Sequence, residues 1–421
     1  MNINIVELYT LVIHILSFFL WLIAPLNSKI KLGVTGRKQT FKNLDTFLKK
    51  TDKTLWFHCS SLGEYEQGLP VFEILRKEYP KHKIILSFFS PSGYEIKKTS
   101  PIADLVIYLP LDTASNAKRF INTVNPDFTV FVKYDIWPNL LLELKQQHKR
   151  AILISALFRK RQAYFKFYGR KLRKALHTFE HIFVQDNNSK LLLNTIHYDQ
   201  VTVAGDTRYD RVSNQLHQNN ELDFIAEFKS NSICIVIGSS WPEDESILIP
   251  YINKYASKNL KFIIAPHEVD DTHSESIRSQ LTSPSIMYSQ KENNDLKHYD
   301  IFIINTIGLL SKIYHYADIA YVGGAMGRTG LHNILEPSTF GIPVLIGKNY
   351  SKFPEAYAMI KDAGVISVSD EKTLDDEITA LVNSAEKREQ LGHKNLKFLQ
   401  NHTGATVQII SYINANPQIK P

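Results

Sequence analysis

The sequence predicts an α/β protein of two parallel-sheet domains behind an apolar N-terminal segment. Three observations predict it. The 421 residues are enough for two α/β cores. From Leu55 onward, short apolar runs alternate with helical stretches, the rhythm of βα units with helices on both faces of a sheet. Residues 318–347 read as buried strand, Gly-rich loop, short helix and second strand, the arrangement at which open α/β sheets bind nucleotides.

Taken in order, residues 8–28 contain no Asp, Glu, Lys or Arg, and a helix of this length just spans about 30 Å of hydrocarbon. Lys29, Lys31, Arg37, Lys38 and Lys42 follow, which by the positive-inside tendency keeps the bulk of the chain cytoplasmic. The segment is expected to be a membrane anchor, spanning or lying in the interface; a helix docked on the protein itself is the alternative. A chain beginning near Leu32 is expected to fold, because the βα pattern starts only at about Leu55.

In the first domain, strands are expected at 55–59, 84–89, 104–109, 128–132, 151–155, 181–184 and 201–204. Helices are expected at 67–78, 115–123, 137–147, 163–176 and 187–194. After the first strand, Ser60, Ser61, Leu62, Gly63 and Glu64 form a small-residue loop presenting one carboxylate. After 128–132 comes KYDIWPN, with Asp135 exposed in a loop and Pro138 in the first turn of a helix. Around 158–174, Arg159, Lys160, Arg161, Lys166 and Arg170 alternate with Phe158, Phe165, Phe167 and Tyr168. Such a segment could lie on anionic lipid, hold an acidic substrate or solvate a helix. The stretch 88–93 reads as a loop or turn. In GDTRYDR, Asp206 and Arg208 could pair with each other or with a ligand, and the polar run 214–221 reads as a linker.

The second domain begins with strand 233–237, which runs into a small-residue loop of Gly238, Ser239 and Ser240. Pro242 then starts a helix whose first turn holds Glu243 and Asp244. Strand 261–265 ends in Pro266, His267 and Glu268. In 318–347, Gly323, Gly324, Gly327 and Gly330 leave backbone open to a ligand, and a helix opening near Gly330 would turn its N–H groups to an anion. His332, Asn333 and Glu336 would share one face of that helix. A tight turn with helix caps is the plain alternative. Neither half has GxGxxG after its first strand, and no HExxH or zinc-type Cys/His spacing occurs, so no metal site is expected. The formal charge of +7 favours anionic partners, with nucleic acid the least supported. Cys59 and Cys234, both inside apolar runs, read as packing residues.

Several stretches together resemble the Kdo (3-deoxy-D-manno-octulosonic acid) transferases of lipopolysaccharide synthesis. They are GRK (36–38), SSLGE (60–64), YDIWPN (134–139), SALFRKR (155–161), VAGDTRYD (203–210), IGSSWPEDE (237–245) and GLHNILEPSTFGIPVLIG (330–347). The resemblance implies a GT-B glycosyltransferase, two Rossmann-like domains facing a cleft. It implies transfer of Kdo from CMP-Kdo to a lipid A precursor with inversion, with no cofactor and no metal in the transfer step. It divides the chain into an anchor (1–30), an acceptor domain (31–215), a donor domain (216–403) and a terminal helix (404–421) packing back on the first domain. By position, Glu64 resembles the catalytic base. Gly238, Ser239, Ser240, His267, Gly330, Asn333 and Glu336 would hold the cytidine nucleotide, and Ser61, Gly63, Asp135, Arg159 and Arg208 would face the acceptor. The family often has Pro-Arg-His where this chain has Pro266, His267 and Glu268, and Glu where Asp135 stands. The expected partners are CMP-Kdo, lipid A precursor and anionic lipid of the inner membrane, with the catalytic domains on its cytoplasmic side. Another GT-B enzyme using a UDP- or GDP-sugar on a lipid, or a nonenzymatic membrane scaffold, is the alternative.

Overall fold

The apolar runs become strands and the segments between them helices, over residues 5–416, which are those the computed structural model describes. Residues 1–4 of the expected anchor and 417–421 of the terminal segment lie outside the described residues. The strands of the first sheet are β1 (Thr54–Cys59), β2 (Lys83–Phe88), β3 (Leu105–Tyr108), β4 (Phe128–Val132), β5 (Arg150–Ala156), β6 (His181–Val184) and β7 (Val201–Val203). Their order is β3-β2-β1-β4-β5-β6-β7, all parallel. Successive residues point to opposite faces. Trp56, Ile85, Phe131 and Leu153 enter the core on one face, and Leu55, Phe57, Leu86 and Val130 the core on the other. Both faces are covered, which is why these strands read as continuous apolar runs.

The second sheet contains β8 (Ile233–Ser240), β9 (Leu260–Pro266), β10 (Ser285–Met287), β11 (Ile301–Ile303), β12 (Ile319–Val322), β13 (Val344–Ile346) and β14 (Val365–Ser367). It runs β10-β11-β9-β8-β12-β13-β14, again all parallel. Each sheet reverses its strand order once beside its first strand, between β1 and β4 and between β8 and β12. Loops at the carboxyl ends of such neighbours diverge and leave a crevice, the topological switch point. β10 and β14, three residues each, are too short to show a period in the sequence.

The chain divides into two compact units, one running to Arg211 and resuming at Thr403, the other Val212–His402. The expected boundaries were 215/216 and 403/404. The Asp210 carboxylate accepts the N–H groups of Gly404 at 2.6 Å and Thr406 at 2.8 Å. It thereby caps the helix Ala405–Ala415, whose Ala405, Ile409 and Ile413 fill the first unit's core.

Two helices precede β1: α1 (Ile5–Ile23) and α2 (Ser28–Phe47). The stretch Tyr9–Leu26 is long and apolar enough to cross a membrane. Leu11, Val12, Phe19, Trp21 and Leu22 are exposed, while Ile13 and Ala24 are buried. The sequence reading missed α2, and the reason is physical. Its buried positions are Gly33, Thr40 and Leu44, a small and polar face with no hydrophobic period. A Cβ on Gly36 would meet the Tyr108 ring at 2.2 Å, so the helix backbone lies directly on β3. The first core therefore begins before the βα pattern at Leu55, which was the ground for expecting a chain beginning near Leu32 to fold. That start removes the first turn of α2 and its cap, in which the Asn27 side chain accepts the Ile30 N–H at 3.1 Å.

Two further readings change. Residues 163–176 are not one helix but two 3-10 turns, Ala163–Phe165 and Phe167–Gly169, before the helix Arg170–Leu176. Phe158 is buried and Phe165 packs on the core, whereas Phe167 is 93% exposed, so no single amphipathic face exists. The 88–93 loop leads into a short helix, Pro91–Lys97. Cys59 and Cys234 are buried and unbonded, as packing residues should be.

If α2 belongs to the first unit's core, Leu44→Ala should destabilise that unit by about 2–5 kcal/mol, the cost of a buried leucine cavity. Urea unfolding of the full chain measures it, and a change below about 0.5 kcal/mol, ordinary for surface sites, would return α2 to the periphery.

Candidate active site

Glu64 stands at the carboxyl end of β1, in the first turn of α3 (Leu62–Glu78). Its Oε2 accepts the Ser61 N–H at 3.0 Å, which closes a capping box with Ser61 as N-cap. The turn after the neighbouring β4 holds Asp135, on the other side of the switch point. Asp135 is not exposed as expected but 4% accessible. Its carboxyl accepts the Ser60 N–H at 2.8 Å and a short hydrogen bond from the Ser60 hydroxyl. The loop after β1 is thus tied to the turn after β4, and the two carboxyl groups influence each other's ionisation.

Two carboxyls this close in a buried setting cannot both be charged at little cost. Burial first, then the charge of Glu64, pushes Asp135 well above the ordinary carboxyl range. Burial also raises Glu64, but the Ser60 and Ser61 N–H groups and the Lys133 charge pull it back. The larger rise falls on Asp135, so Glu64 is the member of the pair that ionises first. Beneath them lies His58, fully buried and pushed down to about 3 by desolvation. The indole Nε1–H of Trp137 points at His58 Nε2 at 3.0 Å, so Nε2 is bare and the ring proton sits on Nδ1, toward Ser87 Oγ at 2.8 Å. The 3.4 Å approach of His58 to Asp135 is a contact between neutral groups, not an ion pair.

The second unit ties its strand-end loops in a similar way. At the end of β8, Ser239 has φ +54° and Ser240 is buried, its hydroxyl on Glu245 at 2.8 Å. Residues 238–240 are the last residues of the strand rather than a loop. Asp244, fully buried, accepts the Gly324 N–H at 2.7 Å, the Tyr321 hydroxyl at 2.8 Å and the Met326 N–H at 3.3 Å. One carboxylate thus fixes the Gly-rich loop after β12. The glycines serve that packing: a Cβ on Gly323 would strike the Ser239 carbonyl oxygen at 2.3 Å, and Gly324 has φ +94°.

The helix expected to open near Gly330 does not. Gly330 has φ +108°, and the only helix there is Leu335–Ser338. Pro337 is the cause: without an N–H, and with its ring against the preceding turn, proline fits only in a first turn. A one-turn helix offers no N-terminal anion site, and the expectation of one is withdrawn. Asn333 and Glu336 do meet, Asn333 Nδ2 donating to Glu336 Oε1 at 3.0 Å.

Of the predicted residues, the fold brings Ser61, Glu64 and Asp135 together, with Gly63 exposed beside them. Arg159 is exposed on the stretch after β5. Arg208 grips buried Asp206, Nε to Oδ2 at 2.9 Å, so it is committed to that carboxylate, which also receives Gln67. At the ends of β8, β9 and β12, His267 stacks between Trp241, at 4.5 Å, and His332, at 4.4 Å. Trp241 Nε1 donates to His332 Nε2 at 3.0 Å. Burial and the nearby His267 push His332 down to about 4, and burial lowers His267. Both rings are neutral near pH 7 and present an aromatic wall rather than a cation. Trp241 is the member that the sequence reading left out; its place just before the Pro-started helix at a strand end was the available signal.

Residues 35–211 match the family described as 3-Deoxy-D-manno-octulosonic-acid transferase (kdotransferase). A 3-deoxy-D-manno-octulosonic acid transferase of Haemophilus influenzae is 29% identical over 379 residues, 85% of this chain and 86% of that one. One of Chlamydophila psittaci is 27% identical, over 83% of this chain and 82% of that one. Among solved structures, a UDP-GlcNAc 2-epimerase from Neisseria meningitidis superposes with TM-score 0.61 at 17% identity, over 86% of this chain and 100% of that chain. A glycosyltransferase from Rickettsia africae does so with TM-score 0.56 at 12% identity, over 88% and 100%. The shared architecture is the GT-B fold.

The carboxyl pair predicts a pH signature. A group whose folded pKa lies above its unfolded value adds stability below the unfolded value, about 4 for Asp, and loses it as pH rises through the folded value. The stability of the parent relative to Asp135→Asn should therefore fall between about pH 5 and about pH 8. Urea midpoints of both proteins at the two pH values measure it, and a pH-independent difference would show that Asp135 is ionised throughout.

Proposed function

We propose that this chain is a Kdo transferase that moves Kdo from CMP-Kdo to a sugar hydroxyl of a lipid A precursor, with inversion; the match of residues 35–211 to the kdotransferase family and the relatives at 27–29% identity support this reading. The observation that carries the mechanism is the buried carboxyl pair beyond the ends of β1 and β4, in which burial raises both groups and Asp135 the more, leaving Glu64 the readier to ionise.

The acceptor hydroxyl is a poor nucleophile at neutral pH. Glu64, 8% accessible and the readier of the pair to ionise, can take its proton as the new C–O bond forms at the Kdo anomeric carbon. The bond from that carbon to the phosphate oxygen breaks in the same step, and CMP leaves with the electron pair. CMP is a good leaving group, so positive potential serves it better than a proton donor. Arg328, exposed on the Gly-rich loop, is the cation of 323–347. The Trp241–His267–His332 wall suits a sugar or base face, and Asn333 with Glu336 suits ribose hydroxyls. In this reading no cofactor is needed beyond the donor.

The exposed apolar face of α1 and the lysines and arginines that follow it support placement on the inner membrane, catalytic units on the cytoplasmic side.

The central test is Glu64→Gln assayed with CMP-Kdo and a tetra-acylated lipid A precursor. Turnover should fall about 10²–10⁴-fold while CMP affinity stays near the parent's, as for loss of a general base. A folded variant keeping more than about a tenth of kcat would move the base elsewhere, first to Asp135.

A second measurement addresses the nucleotide. Glu336→Ala should weaken CMP binding about tenfold, the scale of one hydrogen bond to a charged group. Calorimetry giving parental affinity in the folded variant would remove Glu336 from the donor site.

A further inference from the structure

A groove of about 510 Å³ lies between α1, α2 and the segment after β3, lined by none of the residues of either strand-end cluster. Phe18 and Trp21 of α1, Val34 and Phe41 of α2, and Leu111 make its walls apolar. The groove is held open from both ends of α1: the Thr10 hydroxyl accepts Asn139 Nδ2 at 3.1 Å, and Ala24 is buried where the chain turns toward α2. The same helix exposes Leu11, Ile15, Phe19 and Leu22, so groove and outer apolar face belong to one helix and meet one medium.

One wall carries charge. Arg37 donates from Nε to the Leu109 carbonyl at 3.1 Å and from Nη2 to the Phe89 carbonyl at 2.5 Å, and it lies 4.4 Å over the Phe89 ring. Its Nη1 sits over Gly33, where a Cβ would come within 2.8 Å. No carboxylate pairs with Arg37 among the described residues, and burial lowers it to about 10, the response of a cation lacking an anion. Lys38 beside it is exposed on the same lining. Behind Arg37, the Phe89 ring packs on Trp137 at 4.8 Å, and Trp137 bonds His58, which abuts Asp135. The Ser90 N–H also reaches the Ser60 carbonyl at 2.7 Å. A continuous run of packed side chains, Phe89, Trp137, His58 and Asp135, thus connects the groove wall to the Glu64 loop.

We propose that this groove is an acceptor subsite: it takes one acyl chain of the phosphorylated glycolipid acceptor, with an acceptor phosphate on Arg37 and Lys38. The proposal rests on the transferase reading for the identity of the glycolipid. Apolar walls fit a chain, the cation without a carboxylate partner fits a phosphate, and the packed connection to the Glu64 loop favours the substrate over a bulk phospholipid. Residues 8–28 are then both a membrane anchor and one wall of a binding site.

The test is photolabelling of the full chain in phosphatidylethanolamine vesicles with a lipid A precursor carrying a diazirine in one acyl chain. Label should map to α1 around Phe18 and Trp21 and to α2 around Val34 and Phe41, and excess unlabelled precursor should remove it. Val34→Trp, which fills the groove, and Lys38→Glu, an exposed change that spares packing, should each cut labelling about tenfold. In turnover, Val34→Trp should lower the ratio of kcat/KM for the acylated over the deacylated acceptor by about tenfold. Label elsewhere, or label displaced by phosphatidylglycerol as readily as by the precursor, would overturn the proposal. Labelling needs neither donor nor turnover. A chain labelled in the groove but transferring no Kdo therefore sinks the transferase reading alone, and a chain that transfers Kdo without groove label sinks the subsite alone.

Discussion

The hydrogen bonds from Ser60 to buried Asp135 are the contact on which the candidate chemistry depends. Parallel strands end in loops that have no ladder to hold them, and the switch point splays two of those loops apart. In the first unit, Asp135 after β4 reaches across and accepts the backbone and hydroxyl of Ser60 after β1. In the second, Asp244 accepts Gly324 and Met326 from the loop after β12. Each carboxyl replaces the missing ladder with charge-assisted or strong hydrogen bonds to N–H groups.

The same contact sets the electrostatics. Holding Asp135 in the interior raises it, which leaves the neighbouring Glu64 the readier to ionise. A single carboxylate at this site would owe its charge state only to burial; the pair assigns the charge to the member nearer solvent. Buried, neutral His58 completes the support by giving Trp137 an acceptor without adding a cation that would quench the base.

The two N-terminal helices belong to the same unit as this site. Arg37 of α2 holds the carbonyls of Leu109 and Phe89, so the helix that follows the apolar segment is built into the first unit's sheet edge. Under the proposed function, an apolar helix fastened there would hold a lipid-borne acceptor near Glu64 without a long linker, and orientation is itself a large part of catalysis.

The sequence by itself determined the βα alternation, most strand positions, the two-unit plan and the motifs that resemble Kdo transferases. Those features are written in local apolar runs and short-range spacing, which survive without knowledge of neighbours. Tertiary structure alone decided that Asp135 is buried and raised above the ordinary carboxyl range, because its environment comes from residue 60 and beyond. It decided that the glycines of 323–330 serve packing, since the atoms they avoid lie on another strand. The helix expected to open near Gly330 is a different case: it is only Leu335–Ser338, and Pro337, legible in the sequence, was the signal against a longer one. Tertiary structure placed α2 in the core through Gly33, Thr40 and Leu44, a face that carries no hydrophobic period because close backbone approach, not apolar bulk, buries it.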